Sequence, residues 1–169
     1  MKKVILLSAA ALVFSQTGFC ESSPRPLTAV TPAKLLPDGV DAAEVTNPFT
    51  KEKAFIRKGT IASFYNNIAL LDQLLALPDS KETREKLERI SSFVKENLSG
   101  LRALGLFDVF TPKEWVQSDG FQGRILVGVY YLEAHPKNVT EETKEVLSQQ
   151  HKGVTAPYLK EAIASVLNI

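Results

Sequence analysis

Cysteine and histidine, which build disulfide scaffolds and most transition-metal sites, are scarce in this sequence. One cysteine and two histidines occur among the 169 residues. A single cysteine cannot form a disulfide bond within the chain, and two histidines offer few ligands for zinc. We therefore expect neither a disulfide scaffold nor a metal centre, and no cofactor.

The sequence also lacks an excess of charge of either sign. It contains 20 lysine and arginine residues against 19 aspartate and glutamate residues. Loss of Lys2 and Lys3 with an N-terminal leader would leave 18 (20 − 2) basic residues against 19 acidic ones. Because binding to a nucleic-acid backbone requires a clear basic excess, we expect no nucleic-acid partner.

Long hydrophobic runs are absent except at the N-terminus, where an apolar run extends from Val4 to Phe14 and is interrupted only by Ser8. At about 11 residues this run is too short to span a bilayer, but it has the length of a signal-peptide core. Two lysines precede it. The pattern predicts a signal peptide at residues 1–20, export to the periplasm or the exterior, and no transmembrane span in the mature chain.

Cys20 leaves two processing outcomes open. Gly18 and Cys20 are small residues at positions typical of cleavage directly after Cys20. Alternatively, Cys20 is the lipidated residue of a bacterial lipoprotein, an outcome that the bulky Phe19 before it disfavours. The mature chain is tethered to a membrane only if Cys20 carries the lipid.

A proline-rich segment follows the leader. Four prolines occur in residues 21–46, and because proline interrupts both helices and β-ladders, we expect an extended tether or a strand-like arm. The composition changes after this segment. The predicted organisation is therefore a signal peptide, the arm at 21–46 and a helical bundle domain at 47–169.

Helical periodicity dominates the bundle domain. Apolar residues recur every three or four positions between 61 and 75 and again between 87 and 101, which predicts two long helices. Thr60 is expected to cap the first helix, and Asp79 the second, with a capping box completed by Glu82. Thr111 followed by Pro112 predicts the start of a short third helix.

Residues 121–132 are ambiguous between helix and strand. Their β-branched and aromatic composition favours a strand, whereas apolar residues spaced by four, four and three positions favour a helix. We predict a helix for this segment because no partner strand is evident. Two further helices are predicted, one after a cap at Thr140 and one that starts near Pro157. The predicted fold is all-α, a compact bundle of about five to six helices preceded by the extended proline-rich segment.

No arrangement typical of an active site is apparent. His135 and His151 lie near the ends of predicted helices, where an imidazolium ion would be favoured by the helix dipole. Together with Glu133 they do not have the spacing of a compact zinc motif. We expect a non-catalytic protein, unless two of His135, His151, Asp119 and Glu133 converge in a cleft.

A basic-aromatic strip at residues 46–60 is the first candidate functional site. Four basic residues and one glutamate give the strip a local charge of about +3. Such a strip can dock a partner, or its aromatic residues can cover the end of the bundle while the basic residues face water. Our leading hypothesis is a binding protein of unknown partner, docked by Phe49, Lys51, Lys53, Phe55, Arg57 and Lys58.

An apolar pocket between helices is the alternative site. Helical bundles can hold small apolar ligands between their helices, and aromatic residues with a polar atom suit pockets as well as cores. In this interpretation the protein is a periplasmic carrier of a small ligand or lipid. The residues expected to line the pocket are Phe64, Trp115, Phe121 and Tyr130.

Overall fold

A computed structural model of the protein describes residues 42–57 and 59–169. The predictions for the leader, for Cys20, for the prolines before residue 42 and for Lys58 concern residues outside this part. Within the described part, a β-hairpin is followed by seven α-helices, which confirms the all-α class. None of these helices is long and apolar enough to cross a membrane.

The hairpin consists of β1 (Ala42–Thr46) and β2 (Lys53–Arg57), paired antiparallel over their whole length. Exposure alternates along β2, and Ile56 on the less exposed face lies beside Gly100. No sheet is predicted at this position from the sequence. The alternation of polar and apolar residues in β2 is a strand signal, but we interpreted the segment by its charge.

The two long helices predicted from apolar periodicity are confirmed. They are α1 (Thr60–Leu75) and α2 (Lys81–Ala103), and they pack against each other. The apolar stripe of α2 is buried, and most of that of α1 is buried too, with Leu71, Leu74 and Leu101 fully enclosed. The exceptions in α1 are Ile61, which is 46% exposed, and Ile68, which is partly buried. Burial of these stripes is the main stabilising contribution of both helices.

The predicted N-caps of these two helices are each wrong by one residue. Gly59 is the N-cap of α1, in a left-handed conformation with φ of 84° that glycine adopts without strain, and Thr60 is the first helical residue. Ser80, not Asp79, caps α2 by accepting a hydrogen bond from the backbone N–H of Thr83. The predicted capping box of Asp79 is therefore absent.

Two short helices and a third long one follow. They are α3 (Leu106–Val109), α4 (Pro112–Val116) and α5 (Gln122–Ala134). The predicted start of α4 is confirmed: Thr111 is its N-cap, and Thr111 and Glu114 form a reciprocal capping box. The helical interpretation of the ambiguous segment is confirmed by α5.

The last two helices are α6 (Glu141–Gly153) and α7 (Pro157–Leu167), preceded by one turn of 3₁₀ helix. Thr140 caps α6 as predicted. The central element is α5, because it packs against α1, α2, α4 and α7. Two glycines of α5 permit close packing: a Cβ at Gly123 would lie 2.4 Å from the Ile68 carbonyl oxygen, and one at Gly128 would lie 2.9 Å from the Trp115 Cβ.

Candidate functional site

The first candidate site is the hairpin face, the exposed surface formed by alternate residues of the two strands. Phe55 lies at its centre, directly opposite Glu44, and its side chain is 75% exposed. An exposed phenylalanine of this kind is available for contact with a partner. The hairpin face comprises Ala42, Glu44, Thr46, Lys53, Phe55 and Arg57.

The cations predicted to dock a partner are partly neutralised within the hairpin. The ammonium group of Lys53 lies 2.6 Å from the Glu44 carboxylate. Lys51 folds back, and its Nζ donates a hydrogen bond to the Pro48 carbonyl oxygen at 2.8 Å. Arg57 makes no ion pair with any described residue. The hairpin face therefore presents less free charge than the sequence indicates.

The turn of the hairpin is fixed to the bundle by Asn47, which is fully buried. Its side-chain amide donates to the Arg102 carbonyl oxygen at 2.6 Å and to Asp108 Oδ2 at 2.8 Å. Its Oδ1 accepts hydrogen bonds from the backbone N–H groups of Phe49 and Thr50. These bonds hold the two ends of the turn, and they bring the hairpin against α2 and α3.

Phe49 lies in this turn and not on the hairpin face. Its ring approaches within 3.3 Å of the position that a Cβ would occupy at Gly105, and 61% of its side chain remains exposed. The predicted strip is thus divided between two places. Lys53, Phe55 and Arg57 share one face, whereas Phe49 and Lys51 belong to the turn.

The second candidate site is a cleft of about 290 Å³ between α1, α4 and the start of α5. Trp115 forms part of its lining with only 3% of its surface exposed, whereas Phe121 is 61% exposed. Tyr65 and Phe110 are also exposed. We call this site the aromatic cleft, and its lining residues are Tyr65, Ile68, Phe110, Trp115, Phe121 and Arg124.

The structure brings two of the four predicted pocket residues, Trp115 and Phe121, to the aromatic cleft. Phe64 is buried behind it, with its ring centroid 6.1 Å from that of Trp115 in an edge-to-face arrangement. Tyr130 does not line the cleft. Its hydroxyl lies 2.6 Å from Ser91 Oγ in a buried polar cluster, and burial raises the pKa of this phenol.

Sequence reasoning missed four residues of the aromatic cleft. Tyr65 and Ile68 lie one helical turn apart on α1, and Arg124 lies three positions after Phe121 at the start of α5. The spacing of three residues was available as a signal in both cases. Phe110 precedes the capping box that positions Trp115, but nothing local indicates that it approaches α1.

Two polar features distinguish the aromatic cleft from an apolar surface. The Arg124 guanidinium carbon lies 5.3 Å from the centroid of the Trp115 ring, a distance suitable for a cation–π interaction. The Trp115 Nε1 is shielded from water and has no hydrogen-bond partner among the described residues, as is also true of Gln122 Oε1. A buried unpaired donor costs about 1–3 kcal/mol of stability.

The residues that could have formed a catalytic group do not come together. His135 contacts Arg102 at 3.4 Å, and burial together with this guanidinium lowers the pKa of the imidazole. Glu133 pairs with Lys95 at 3.0 Å. Within residues 42–57 and 59–169, no hydrogen bond joins any two of His135, His151, Asp119 and Glu133. The same residues contain no group of three histidine, cysteine, aspartate or glutamate side chains that could hold a metal ion.

Comparison with known proteins yields one family. A family model described as "Domain of unknown function (DUF7709)" matches residues 34–135, which is more than half of the chain. This range extends from before β1 to the end of α5, so it includes both the hairpin face and the aromatic cleft, while α6 and α7 lie outside it. No curated protein and no solved structure matches the sequence.

Proposed function

We propose that this chain, which belongs to the DUF7709 family, is an exported, non-catalytic protein that binds a small apolar ligand in the aromatic cleft. The observation that carries the proposal is the concentration of exposed aromatic side chains around one concave surface of about 290 Å³. Export is supported by the basic start and the apolar run of the leader sequence.

The shape and composition of the aromatic cleft support a ligand of modest size. Ligand sites in proteins are concave, mostly apolar and commonly about 300–1,000 Å³ in volume, so the cleft, at about 290 Å³, lies just below the lower end of this range. Its walls come from three helices whose packing is fixed by the core, and the site therefore exists before a ligand arrives. Exposed aromatic rings lose contact with water when a ligand covers them, which favours binding.

Binding can be measured through Trp115, because it is the only tryptophan of the chain and it lines the aromatic cleft. The probe is phenylbutyramide, a neutral molecule with one aromatic ring that does not absorb where tryptophan is excited. We expect it to change the emission of Trp115 in a saturable manner, and isothermal titration calorimetry to give the same dissociation constant.

Two phenylalanine variants localise the binding. Phe121→Ser removes a wall of the aromatic cleft at the N-cap position of α5, where serine is well tolerated. Phe49→Ser removes a side chain that is equally exposed, 61% in both cases, but that lies in the hairpin turn. We expect Phe121→Ser to abolish the emission change and Phe49→Ser to preserve it. Equal loss in both variants would contradict the proposed site.

The hairpin face supports a second candidate function, the docking of a macromolecular partner. The observation that favours it is the 75% exposure of Phe55, which stands between Lys53 and Arg57 on a sheet of only two strands. Aromatic and arginine side chains contribute strongly to protein interfaces. The partner expected for such a surface carries an apolar pocket with acidic groups around it.

Crosslinking in intact cells, followed by mass spectrometry of the captured species, tests this second function. We expect Phe55→Ser to abolish capture of a specific protein and Phe121→Ser, which removes another exposed phenylalanine at the aromatic cleft, to leave capture intact. Replacement of Lys51, Lys53, Arg57 and Lys58 with alanine should have the same effect as Phe55→Ser. Capture that persists in both hairpin variants would contradict docking through the hairpin face.

A further inference from the structure

We infer that the aromatic cleft selects ligands that carry a carboxylate on an apolar body, and that Arg124 recognises this carboxylate. The inference rests on the proposed function, because it specifies the ligand class of the same site. It starts from Arg124, the one charged side chain that lines the cleft among the described residues.

Arg124 is placed to bind an anion. It is half-buried at the edge of the aromatic cleft, and its guanidinium lies over the Trp115 ring. The cation–π contact, with the guanidinium carbon 5.3 Å from the ring centroid, holds the guanidinium beside the cleft before a ligand binds. Among the described residues, no carboxylate forms an ion pair with Arg124. The donors of its planar fork therefore remain available for a bidentate contact with a carboxylate.

Glu114, a carboxylate that interacts electrostatically with Arg124, has another role. Glu114 attracts Arg124 electrostatically, and this contributes to the lowered pKa of the glutamate, but hydrogen bonds from Thr111 are the larger cause. Its Oε2 accepts bonds from the backbone N–H and the hydroxyl of Thr111 at 2.7 and 2.8 Å. Because Glu114 holds the start of α4 in this way, it does not occupy the donors of Arg124.

The indole of Trp115 contributes its ring to the aromatic cleft, and its N–H is not available to a ligand. Its side chain lines the aromatic cleft, is more than nine-tenths buried, and has an Nε1–H without an acceptor in the described part of the chain. Because this Nε1 is shielded from water, a ligand oxygen cannot reach it either. The carboxylate is therefore bound by Arg124 alone, while the apolar body of the ligand covers the aromatic walls.

A single positive charge in a small apolar cleft fits a monocarboxylate better than a phosphate. A phosphate monoester carries more negative charge and more oxygen atoms than one guanidinium can satisfy. The remaining lining residues are Tyr65, Ile68, Phe110 and Phe121, which offer mainly apolar surface. The geometry therefore matches an amphipathic acid with one carboxylate.

The experiment compares phenylbutyrate with phenylbutyramide, which differ only in the charged group, by calorimetry and by Trp115 emission. The wild-type protein should bind phenylbutyrate at least about 10-fold more tightly, as expected for hydrogen bonds to a charged group. Arg124→Gln should remove this preference by weakening phenylbutyrate alone, and Arg124→Lys should retain part of it. Arg89→Gln, which removes an exposed arginine of α2 away from the cleft, should leave both affinities unchanged.

The outcomes separate the inference from the proposed function. Equal binding of both probes to the wild-type protein would overturn carboxylate selection and leave the apolar binding site in place. A carboxylate preference that survives in Arg124→Gln would overturn the role of Arg124. Failure of both probes to bind would contradict the proposed function itself. Unchanged circular dichroism spectra and melting temperatures of the arginine variants exclude unfolding as the cause of any loss.

Discussion

At the scale of single residues, Asn47 stabilises the structure through four hydrogen bonds of one buried side chain. In Asn47→Ala, the Arg102 carbonyl and the Asp108 carboxylate lose their donor, and two backbone N–H groups of the turn lose their acceptor. We expect the free energy of unfolding to fall by about 2–4 kcal/mol, the sum of several bonds of modest net value. Urea denaturation measures this loss.

Two further variants test the origin of that loss. Asn47→Asp keeps the acceptor for the turn but places a second carboxylate beside Asp108. Since protonation relieves repulsion between carboxylates, its stability should approach that of the wild type as the pH falls. Ser148→Ala, which removes an exposed bond to the Lys144 carbonyl, should change stability by less than about 0.5 kcal/mol. A loss in Asn47→Ala no larger than in Ser148→Ala would contradict the assigned role.

The N-caps illustrate what a sequence can predict at this scale. The capping box of Thr111 and Glu114 was predictable because its three elements, threonine, proline and glutamate, agree on one start position. Asp79 and Ser80 are both good capping residues, and neither their identity nor their neighbours decide between them. The extended backbone of Ser80 decides, because it directs the hydroxyl to the N–H of Thr83.

At the scale of elements, the contact between α1 and α5 depends on Gly123. A Cβ there would lie 2.4 Å from the Ile68 carbonyl oxygen and 2.8 Å from the Asp72 backbone nitrogen, and neither backbone atom can move without displacing α1. We expect Gly123→Ala to lower the free energy of unfolding by about 3 kcal/mol. Thermal and urea unfolding of the purified variant measure the change.

Gly153→Ala is the matched control for this prediction. Gly153 ends α6, has no atom within 4 Å of its Cβ position and does not have a positive φ. Alanine is favoured over glycine in helices by up to about 1 kcal/mol, so this variant should be neutral or more stable than the wild type. If both variants had the same stability, close packing at Gly123 would not be the cause.

Arg84 connects two elements, the start of α2 and α7. Its guanidinium bonds to Asp79 at 2.7 Å and to Glu161 at 2.8 Å, and these hydrogen bonds lower the pKa of both carboxyl groups. A carboxyl pKa lowered in the folded state stabilises the fold at neutral pH, and this contribution disappears as the pH falls through the lowered value. Arg84→Gln should therefore lose less stability than the wild type between neutral pH and about pH 3.

The size of this effect is limited by exposure of the groups, because solvent screens surface ion pairs. Unfolding in urea at a series of pH values gives the profile for each variant. Lys144→Gln removes an ion pair with Glu141 that lies within one helix, and serves as the control for loss of a positive charge. Parallel profiles for the wild type and Arg84→Gln would show that the link between α2 and α7 does not contribute.

The hairpin shows why one element was not predictable from its own residues. The alternation in β2 was present in the sequence, but β1 is a five-residue segment of mixed composition within the expected arm. The turn between the strands has no Asn-Gly or Asp-Gly signal. The pairing is stabilised by contacts with α2 and by the distant partners of Asn47, and such contacts are not local.

At the scale of the whole molecule, helices were easier to predict than the candidate site. The apolar stripes of α1 and α2 could be recognised in the sequence, because hydrophobic periodicity is a local property. The aromatic cleft instead depends on how three helices pack. Tyr65 is adjacent to the buried Phe64 but faces outward, and only the approach of α4 and α5 makes its ring part of a cleft. Trp115 and Phe121 were predicted from their aromatic character, whereas Arg124 was indicated only by its spacing of three residues from Phe121.

The hairpin and the helical bundle should unfold together, because the hairpin is held by contacts with the helices. Ile56 lies beside Gly100, and Glu52 pairs with Arg102 at 2.9 Å. Residues near both ends of β2 therefore contact the last turns of α2. A two-stranded hairpin is marginal alone and depends on this support. We expect one transition in urea, with the same midpoint for Trp115 emission and for far-ultraviolet circular dichroism. In Asn47→Ala, amide exchange should increase in β1 and β2 before it increases in α5, since that side chain joins the sheet to the helices. Two separate midpoints in the wild type would mean that the hairpin is a distinct unit, and its exposed Phe55 would then be presented on a movable element instead of a fixed one.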